Sequence, residues 1–163
     1  MYSLLLDYRL RPQLRMLEQA HQFVMGGMQR AINRLGVSTE FQGTCDLTIQ
    51  GRKVSGNALR CKRNWMIYHG TFLCQMDLDV LSHCLGTPQR QPEYRRNRTH
   101  REFVTQIPVP MEDLGRAVIQ EWECVEALQQ WPQRLTEKLV AEKYSQSAWT
   151  CKIRRPVRPN TSN

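Results

Sequence analysis

Apolar and polar positions alternate with different periods along the chain. After Pro12 and again after Pro110, apolar residues recur at three- and four-residue steps, which predicts two amphipathic helices. Gly36 predicts the end of the first helix, and Tyr2–Asp7 is a short apolar run of strand length. The predicted stripe of the first helix comprises Leu14, Leu17, Val24, Met28, Ala31, Ile32 and Leu35, and that of the second comprises Leu114, Val118, Trp122, Val125 and Leu128.

Short apolar runs between residues 37 and 76 predict β-strands joined by tight turns. Asp46–Gln50 and Lys53–Arg60 form a predicted hairpin around Gly51. Trp65–Gln75 forms the next strand, which we expect to be interrupted at Gly70. A glycine inside a strand allows a ligand or another backbone to approach closely.

The second half of the chain predicts helices and exposed segments. A short helix is predicted over Asp77–His83, and a last one around Leu135–Tyr144. Between them, Thr87–Arg101 combines two prolines with several arginines, which predicts an exposed basic loop. The proline-containing tail predicts disorder, so we expect one domain over residues 1–155 and a disordered tail over 156–163.

Composition narrows the class of protein. The chain has 163 residues, of which 40% are hydrophobic and 23% charged, as in a globular protein of one ordinary domain. It has no apolar run of bilayer length and no signal-peptide pattern at its start, so we expect a soluble cytoplasmic protein without a membrane partner.

Net charge indicates an anionic partner. The formal net charge is +8 and the pI is near 9.5, which fits nucleic acid, a nucleotide or an acidic protein. The arginines cluster in one loop and in the tail rather than alternating with aromatic residues along one face, which makes nucleic acid the weaker interpretation.

The cysteines do not form a recognisable framework. Six of them are spread without regular spacing, in a chain with no secretory pattern, which argues against disulfides. No Cys-x-x-Cys pair occurs, so we expect no metal site and, for most of the thiols, reduced and buried side chains.

The densest chemical pattern is Gly51-Arg-Lys-Val-Ser-Gly-Asn-Ala58. Here a turn is followed by a lysine and then by residues too small to fill a core, which leaves an open floor for a planar or phosphorylated ligand. A lysine at such a place suits a phosphate or a polarised carbonyl oxygen. From these residues alone, a plain hairpin with a solvated Lys53 is the favoured interpretation.

Two ordered stretches resemble a known family. Gly43–Arg60, which contains Asp46-Leu and the Gly-Arg-Lys-Val-Ser-Gly-Asn-Ala run, resembles the signature of lipoate–protein ligases and related octanoyltransferases. Tyr68-His-Gly-Thr-Phe-Leu73 is similar to the His-Gly-Thr-Leu-Leu motif of that family. Weaker similarities extend the resemblance from about residue 2 to Arg155: Asp77-Leu, Tyr94–His100, and Glu142-Lys-Tyr144 with Trp149.

The resemblance implies a fold and a reaction. The fold is α+β, with a mixed, largely antiparallel sheet flanked by helices, as in biotin and lipoate ligases. The reaction makes lipoyl-adenylate from lipoate and ATP, with Mg²⁺ as a further candidate cofactor, and passes the lipoyl group, or an octanoyl group, to a lysine of an acceptor. The implied acceptors are the acidic lipoyl domains of 2-oxo acid dehydrogenase acyltransferase components or the glycine cleavage H protein.

Site residues are carried over by the same resemblance. Lys53 would contact the acyl carbonyl and the adenylate phosphate, and would stabilise charge on the carbonyl oxygen during transfer. Asp46 would hold the hairpin or a ribose hydroxyl. The remaining implied site residues are Ser55, Gly56, Asn57 and Ala58, which would line the floor of the adenylate site, and His69 and Gly70 on the neighbouring strand.

Two alternatives remain open at this point. A thioester-type octanoyltransferase would use a cysteine as its nucleophile, and Cys84 or Cys45 is the candidate. A non-catalytic remnant or partner-binding subunit is the other alternative.

One part of the family pattern does not occur in this sequence. The family carries an Arg-Arg-x-Ser-Gly-Gly-Gly loop upstream of the strand that resembles Tyr2–Asp7, and the chain contains no Gly-Gly-Gly. We therefore expect that the N-terminal part of the domain is missing, and that the chain alone is incompletely folded or inactive unless a separate chain supplies that part.

Overall fold

A computed structural model describes residues 1–86 and 88–151 of the chain. The chain divides into two compact units, Met1–Val125 and Glu126–Asn163. The strands are β1 (Tyr2–Asp7), β2 (Glu40–Gln42), β3 (Asp46–Ile49), β4 (Arg52–Cys61) and β5 (Trp65–Phe72). The α-helices of the first unit are α1 (Leu17–Asn33), α2 (Leu78–Cys84), α3 (His100–Phe103) and α4 (Met111–Glu121), with 3-10 turns at Pro12–Arg15 and Glu93–Arg95.

The five strands form one sheet in the order β1-β5-β4-β3-β2. Every neighbouring pair is antiparallel, which confirms the predicted α+β fold with a largely antiparallel sheet. An isolated parallel bridge joins Lys53 to Val104. The predicted interruption at Gly70 is wrong, because Gly70 stays paired with both Tyr2 and Asn57 and β5 runs through it.

The core lies between α1 and one face of the sheet. Val24, Met25 and Met28 of α1 are fully buried in one cluster with Leu47 and Met66 of the sheet. Burying each such side chain contributes roughly 1.5–3 kcal/mol. The face of α1 predicted from the sequence is confirmed for Val24, Met28, Ala31 and Ile32, which are buried, and is wrong for Leu17, which is 56% exposed in the first turn of the helix.

The ends of the two long helices differ from the predictions. The α-helix behind Pro12 begins only at Leu17, because Met16 is extended and separates it from a 3-10 turn. The helix behind Pro110 ends at Glu121, because Glu123 adopts a positive φ of 49°. Its predicted stripe ends there too, and Val125 and Leu128 are exposed.

The prediction that most of the cysteines are buried is wrong. Cys61, Cys84, Cys124 and Cys151 are exposed, and Cys45 and Cys74 are half-buried. The physical reason is their position at the ends of elements. Cys61 is the last residue of β4 and Cys84 is the last residue of α2, whereas Cys124 follows α4 and Cys151 follows α6 (Ser147–Thr150).

The second unit confirms the predicted last helix. It contains α5 (Gln133–Leu139), a π-helical turn over Val140–Tyr144, and α6. Residues 152–163 lie outside the described residues, so the predicted boundary at 155 and the predicted disorder of 156–163 stay predictions. Within the part that is described, no helix is both long and apolar enough to cross a membrane.

Candidate functional site

An ion pair at the start of β4 forms the centre of the candidate site. Lys53 Nζ lies 2.7 Å from Asp46 Oδ1, and the Lys53 side chain is 26% exposed whereas that of Asp46 is 10% exposed. The Tyr94 hydroxyl donates a 2.7 Å hydrogen bond to the other carboxylate oxygen, Asp46 Oδ2. Burial and this carboxylate together raise the pKa of Tyr94 well above its usual range. Asp46 is thus held from two sides, and it directs the ammonium group of Lys53.

A β-bulge determines on which face of the sheet the Lys53 side chain lies. Leu47 pairs with Ser55 whereas the next residue of β3, Thr48, pairs with Lys53, so Val54 has no residue opposite it. In a regular strand, residues two apart share a face, and Lys53 would lie on the face of Ser55. The extra residue at Val54 turns Lys53 to the opposite face.

Lys53 therefore shares a face of the sheet with Gly56 and Ala58. A Cβ atom placed on Gly56 would lie 3.6 Å from Lys53 Cε and 3.8 Å from Lys53 Nζ, which confirms that the lysine extends past this glycine. Ala58 is exposed and pairs with His69, which is also exposed. This part of the sheet presents a cation beside small residues and an imidazole.

The other predicted site residues lie on the face that α1 covers. Ser55 is fully buried, and Asn57 Nδ2 lies 3.4 Å from Met25 Sδ of α1. Gly70 is opposite Asn57 in the register and is buried as well. The structure thus divides the predicted floor, with Gly56 and Ala58 on one face and the remaining residues on the other.

Asn57 joins three parts of the sheet. The Tyr2 hydroxyl of β1 donates a 2.5 Å hydrogen bond to Asn57 Oδ1. Asn57 Nδ2 donates to the carbonyl of Cys45 at 2.6 Å and to Ser55 Oγ at 2.8 Å. Because Cys45 precedes Asp46, this side chain helps to hold the backbone that carries the carboxylate.

Gly70 provides the space that Asn57 occupies. A Cβ atom on Gly70 would lie 1.9 Å from Asn57 Oδ1 and 2.9 Å from Tyr2 Cε1. The close approach that we expected at Gly70 is therefore made by the side chains of Asn57 and Tyr2.

A clamp of residues 93–105 secures the start of β4, and sequence reasoning did not identify it. The amide of Thr105 donates to the carbonyl of Lys53 at 2.9 Å, and Arg52 Nη2 donates to the carbonyl of Val104 at 2.8 Å. Arg98 Nη2 donates to the carbonyl of Gly51 at 3.0 Å. Tyr94, which holds Asp46, belongs to the same clamp.

The prediction of a fully exposed basic loop is accordingly wrong for part of this stretch. Arg95 is only 3% exposed, and its guanidinium lies over the ring of Phe103 at 4.7 Å. A sequence signal was present: Thr99 and Glu102 form a capping box that starts α3, and the Thr-x-x-Glu spacing is typical of a helix start.

The candidate thiols differ in their surroundings. Cys45 Sγ is half-buried and donates to the carbonyl of Asn57 at 3.3 Å. Burial raises the pKa of the Cys45 thiol, with a further contribution from the Asp46 carboxylate, and this lowers its thiolate fraction. Cys84 is exposed at the end of α2. Among residues 1–86 and 88–151, no three His, Cys, Asp or Glu side chains are grouped to hold a metal ion.

The sequence is similar to lipoate–protein ligase sequences over part of their length. It is 27% identical over 135 residues to lipoate–protein ligase 1 of Staphylococcus aureus, covering 74% of this chain and 40% of that protein. It is 32% identical over 62 residues to inactive lipoate–protein ligase 2 of Plasmodium falciparum, covering 38% of this chain and 16% of that protein. The alignments therefore span less than half the length of these curated relatives.

Solved structures share the fold. A lipoate–protein ligase A crystallised with ATP superimposes with a TM-score of 0.66 at 18% identity, covering 80% of this chain and 57% of that one. A bipartite lipoate protein ligase of Thermoplasma acidophilum, studied with its E2 lipoyl domain, gives a TM-score of 0.69 at 20% identity, covering 86% of this chain and 61% of that one.

Family membership follows from the match of most of the chain to one family model. The family model of the lipoyl protein ligase A/B catalytic domain matches residues 1–123, which include the sheet, the Lys53–Asp46 pair and the clamp. These residues make up about three quarters of the 163-residue chain. The chain belongs to the lipoyl protein ligase A/B catalytic domain family.

Proposed function

We propose that this chain provides the acyl-transfer centre of a lipoate–protein ligase, with Lys53 as its catalytic residue. The observation that carries the proposal is the orientation of Lys53. The bulge at Val54 places its ammonium group on the face of Gly56 and Ala58, and Asp46 holds it there at 2.7 Å. A planar acyl-adenylate can approach such small residues closely and meet a fixed positive charge.

In the proposed reaction, lipoate and ATP first form lipoyl-adenylate with release of pyrophosphate. The uncharged amine of an acceptor lysine then attacks the acyl carbonyl carbon. The carbonyl oxygen becomes negative, the attacking nitrogen loses a proton to solvent, the bond from carbon to the phosphate oxygen breaks, and AMP leaves as the amide forms. Lys53 would donate to that carbonyl oxygen and to the phosphate, and losing one such donor typically costs about 10²–10³ in rate.

Asp46 would act as a positioning residue in this scheme. Its two oxygens are engaged by Lys53 and Tyr94 at 2.7 Å each, so the lysine is oriented before a ligand arrives. Pre-oriented charge stabilises a transition state without reorganisation during the reaction. His69, Ser55, Asn57 and Gly70 remain proposed site residues: His69 would contact the ligand from the exposed face, and the other three would support the sheet from the covered face.

We base the proposed substrates and partners on those of similar proteins. One is a lipoate–protein ligase A with ATP bound, and another is a bipartite ligase studied with its E2 lipoyl domain. We accordingly propose ATP and lipoate as substrates, Mg²⁺ bound together with the nucleotide phosphates, and a lipoyl domain or H protein as acceptor. A separate chain completing the catalytic domain is part of the same proposal.

A reconstitution experiment tests the proposal in two steps. Purified chain is mixed with lipoate, ATP and an apo lipoyl domain, with and without the candidate completing chain, and both pyrophosphate release and the mass of the acceptor are followed. We expect Lys53→Ala to lower acceptor modification by about 10²–10³-fold. Lys62→Ala, an exposed lysine at the turn after β4, removes the same charge and should retain activity. Full activity of Lys53→Ala would remove Lys53 from the reaction.

A further inference from the structure

A concave basic surface lies beside the Lys53–Asp46 pair. This surface, the arginine notch, encloses about 330 Å³ and is lined by Gln42, Gly51, Tyr94, Arg96 and Arg98. Tyr94 connects it to the candidate site, since its hydroxyl donates to Asp46, which in turn pairs with Lys53. A molecule bound in the notch therefore contacts the side chain that orients the candidate catalytic pair.

Arg98 is held in a fixed position by hydrogen bonds to backbone carbonyls. Its Nε atom donates to the carbonyl of Arg95 at 3.1 Å, and its Nη2 atom donates to the carbonyls of Gly51 at 3.0 Å and Tyr94 at 2.9 Å. These partners are neutral, so they orient the guanidinium without neutralising it.

Arg96 adds a second positive charge at the rim of the notch. It is exposed, and its φ of 51° places it in the left-handed region. Some arginines of the first unit are ion-paired: Arg101 with Asp79, and Arg30 and Arg34 with Glu121. Within the described ranges, neither Arg96 nor Arg98 lies within ion-pair distance of a carboxylate.

We propose that the arginine notch binds a carboxylate on the surface of the acceptor protein. The inference rests on the proposed function, which requires an acceptor lysine to reach the Lys53 face. A guanidinium pair suits a planar carboxylate, which it can bind through two parallel hydrogen bonds. A nucleotide on the Gly56 and Ala58 face already has Lys53 as its cation, which leaves the notch charges for another anion. The acceptor would thus be recognised at a point directly connected to the catalytic pair.

Binding of an apo lipoyl domain, measured by isothermal titration calorimetry, tests this surface without requiring catalysis. The chain is titrated with the domain, and with a variant domain whose carboxylates next to the acceptor lysine are changed to amides. Arg96→Gln is the test variant, because the hydrogen bond that Arg96 donates to the carbonyl of Glu93 comes from its backbone amide and is kept in glutamine. Arg90→Gln is its matched control: it is an exposed arginine of the same segment that does not line the notch, and it removes the same charge.

We expect Arg96→Gln to weaken binding by on the order of ten-fold, and Arg90→Gln to change it less than two-fold. The amide variant of the domain should bind weakly to the wild-type chain and show no further loss with Arg96→Gln. Equal effects of the two arginine substitutions would overturn the notch as a specific site, and so would absence of binding to the wild-type chain. Displacement of the domain by pyrophosphate with no dependence on its carboxylates would assign the notch to a phosphate instead.

This outcome is separable from that of the proposed function. Acceptor binding that depends on Arg96, in a chain that forms no lipoyl-adenylate even with the candidate completing chain, would support the notch and contradict the catalytic proposal. Acceptor modification that does not depend on Arg96 would support the catalytic proposal and contradict the notch as an acceptor site.

Discussion

Replacing Gly70 with alanine tests how tightly the sheet is built behind the candidate site. The new Cβ atom would lie 1.9 Å from Asn57 Oδ1, 2.9 Å from Asn57 Cγ and 2.9 Å from Tyr2 Cε1, so these side chains must move. Asn57 would then lose some of the three hydrogen bonds that it makes with Tyr2, with Ser55 and with the carbonyl of Cys45.

The magnitude follows from these contacts. Two lost hydrogen bonds cost about 1 kcal/mol each, and overpacking adds about 1–3 kcal/mol. Alanine regains about 0.5–1 kcal/mol because glycine is unfavourable inside a strand. The expected loss in the free energy of unfolding for Gly70→Ala is therefore about 2–4 kcal/mol.

Gly56→Ala is the matched control in the neighbouring strand. The nearest atom to its new Cβ would be Lys53 Cε at 3.6 Å, an ordinary contact, so we expect no loss of stability and a gain of up to about 1 kcal/mol. Urea unfolding followed by circular dichroism measures both variants. If Gly70→Ala is as stable as the wild type, or if both variants lose equal stability, the packing around Asn57 is not as described. The double variant Gly70→Ala/Asn57→Ala should lose less stability than the two single losses added together, because removing the amide relieves the clash.

Two further predictions concern titratable groups. Burial lowers the pKa of His21, whose Nδ1 lies 2.8 Å from the Tyr68 hydroxyl, so the unfolded chain binds this proton at a higher pH than the folded chain. Stability should therefore fall as the pH drops below about 6.5, and His21→Asn should flatten that part of a urea-unfolding series against pH; an unchanged slope contradicts the assignment. Burial raises the pKa of Cys45, so iodoacetamide labelling followed by mass spectrometry should modify it more slowly than the exposed Cys61 and Cys84 in the folded chain, and at similar rates in urea. Preferential labelling of Cys45 would instead favour the thioester route.

Local patterns in the sequence predicted much of the fold. The apolar run Tyr2–Asp7 is β1, and the predicted hairpin around Gly51 is β3 and β4. These elements follow from the spacing of apolar residues and from a turn glycine with a positive φ of 69°. The helix faces were predictable for the same reason, whereas helix ends depend on single residues such as Met16 and Glu123.

The direction of the site side chains could not be predicted in the same way. Regular alternation places Lys53 with Ser55 and Asn57, and only the register against β3 shows that the bulge at Val54 turns it to the other face. That register depends on long-range pairing rather than on local spacing.

Contacts between segments that are distant in sequence could not be predicted from local patterns either. Tyr94 and Asp46 are separated by 48 positions, and their hydrogen bond exists because the clamp folds back over the start of β4. Burial of Arg95 has the same cause, since the ring of Phe103 covers its guanidinium. The resemblance indicated the candidate site residues, and the tertiary structure separates them into an exposed group and a supporting group.

The most direct test of the central claim is whether Lys53 binds the adenylate intermediate. Isothermal titration calorimetry with a non-hydrolysable sulfamoyl analogue of lipoyl-adenylate measures this, using the chain together with its completing chain if one is required. We expect Lys53→Ala to weaken binding by on the order of thirty-fold, as for loss of a charge-assisted hydrogen bond, and Lys62→Ala to bind like the wild type. Equal affinity of Lys53→Ala and the wild type for the analogue would contradict the account.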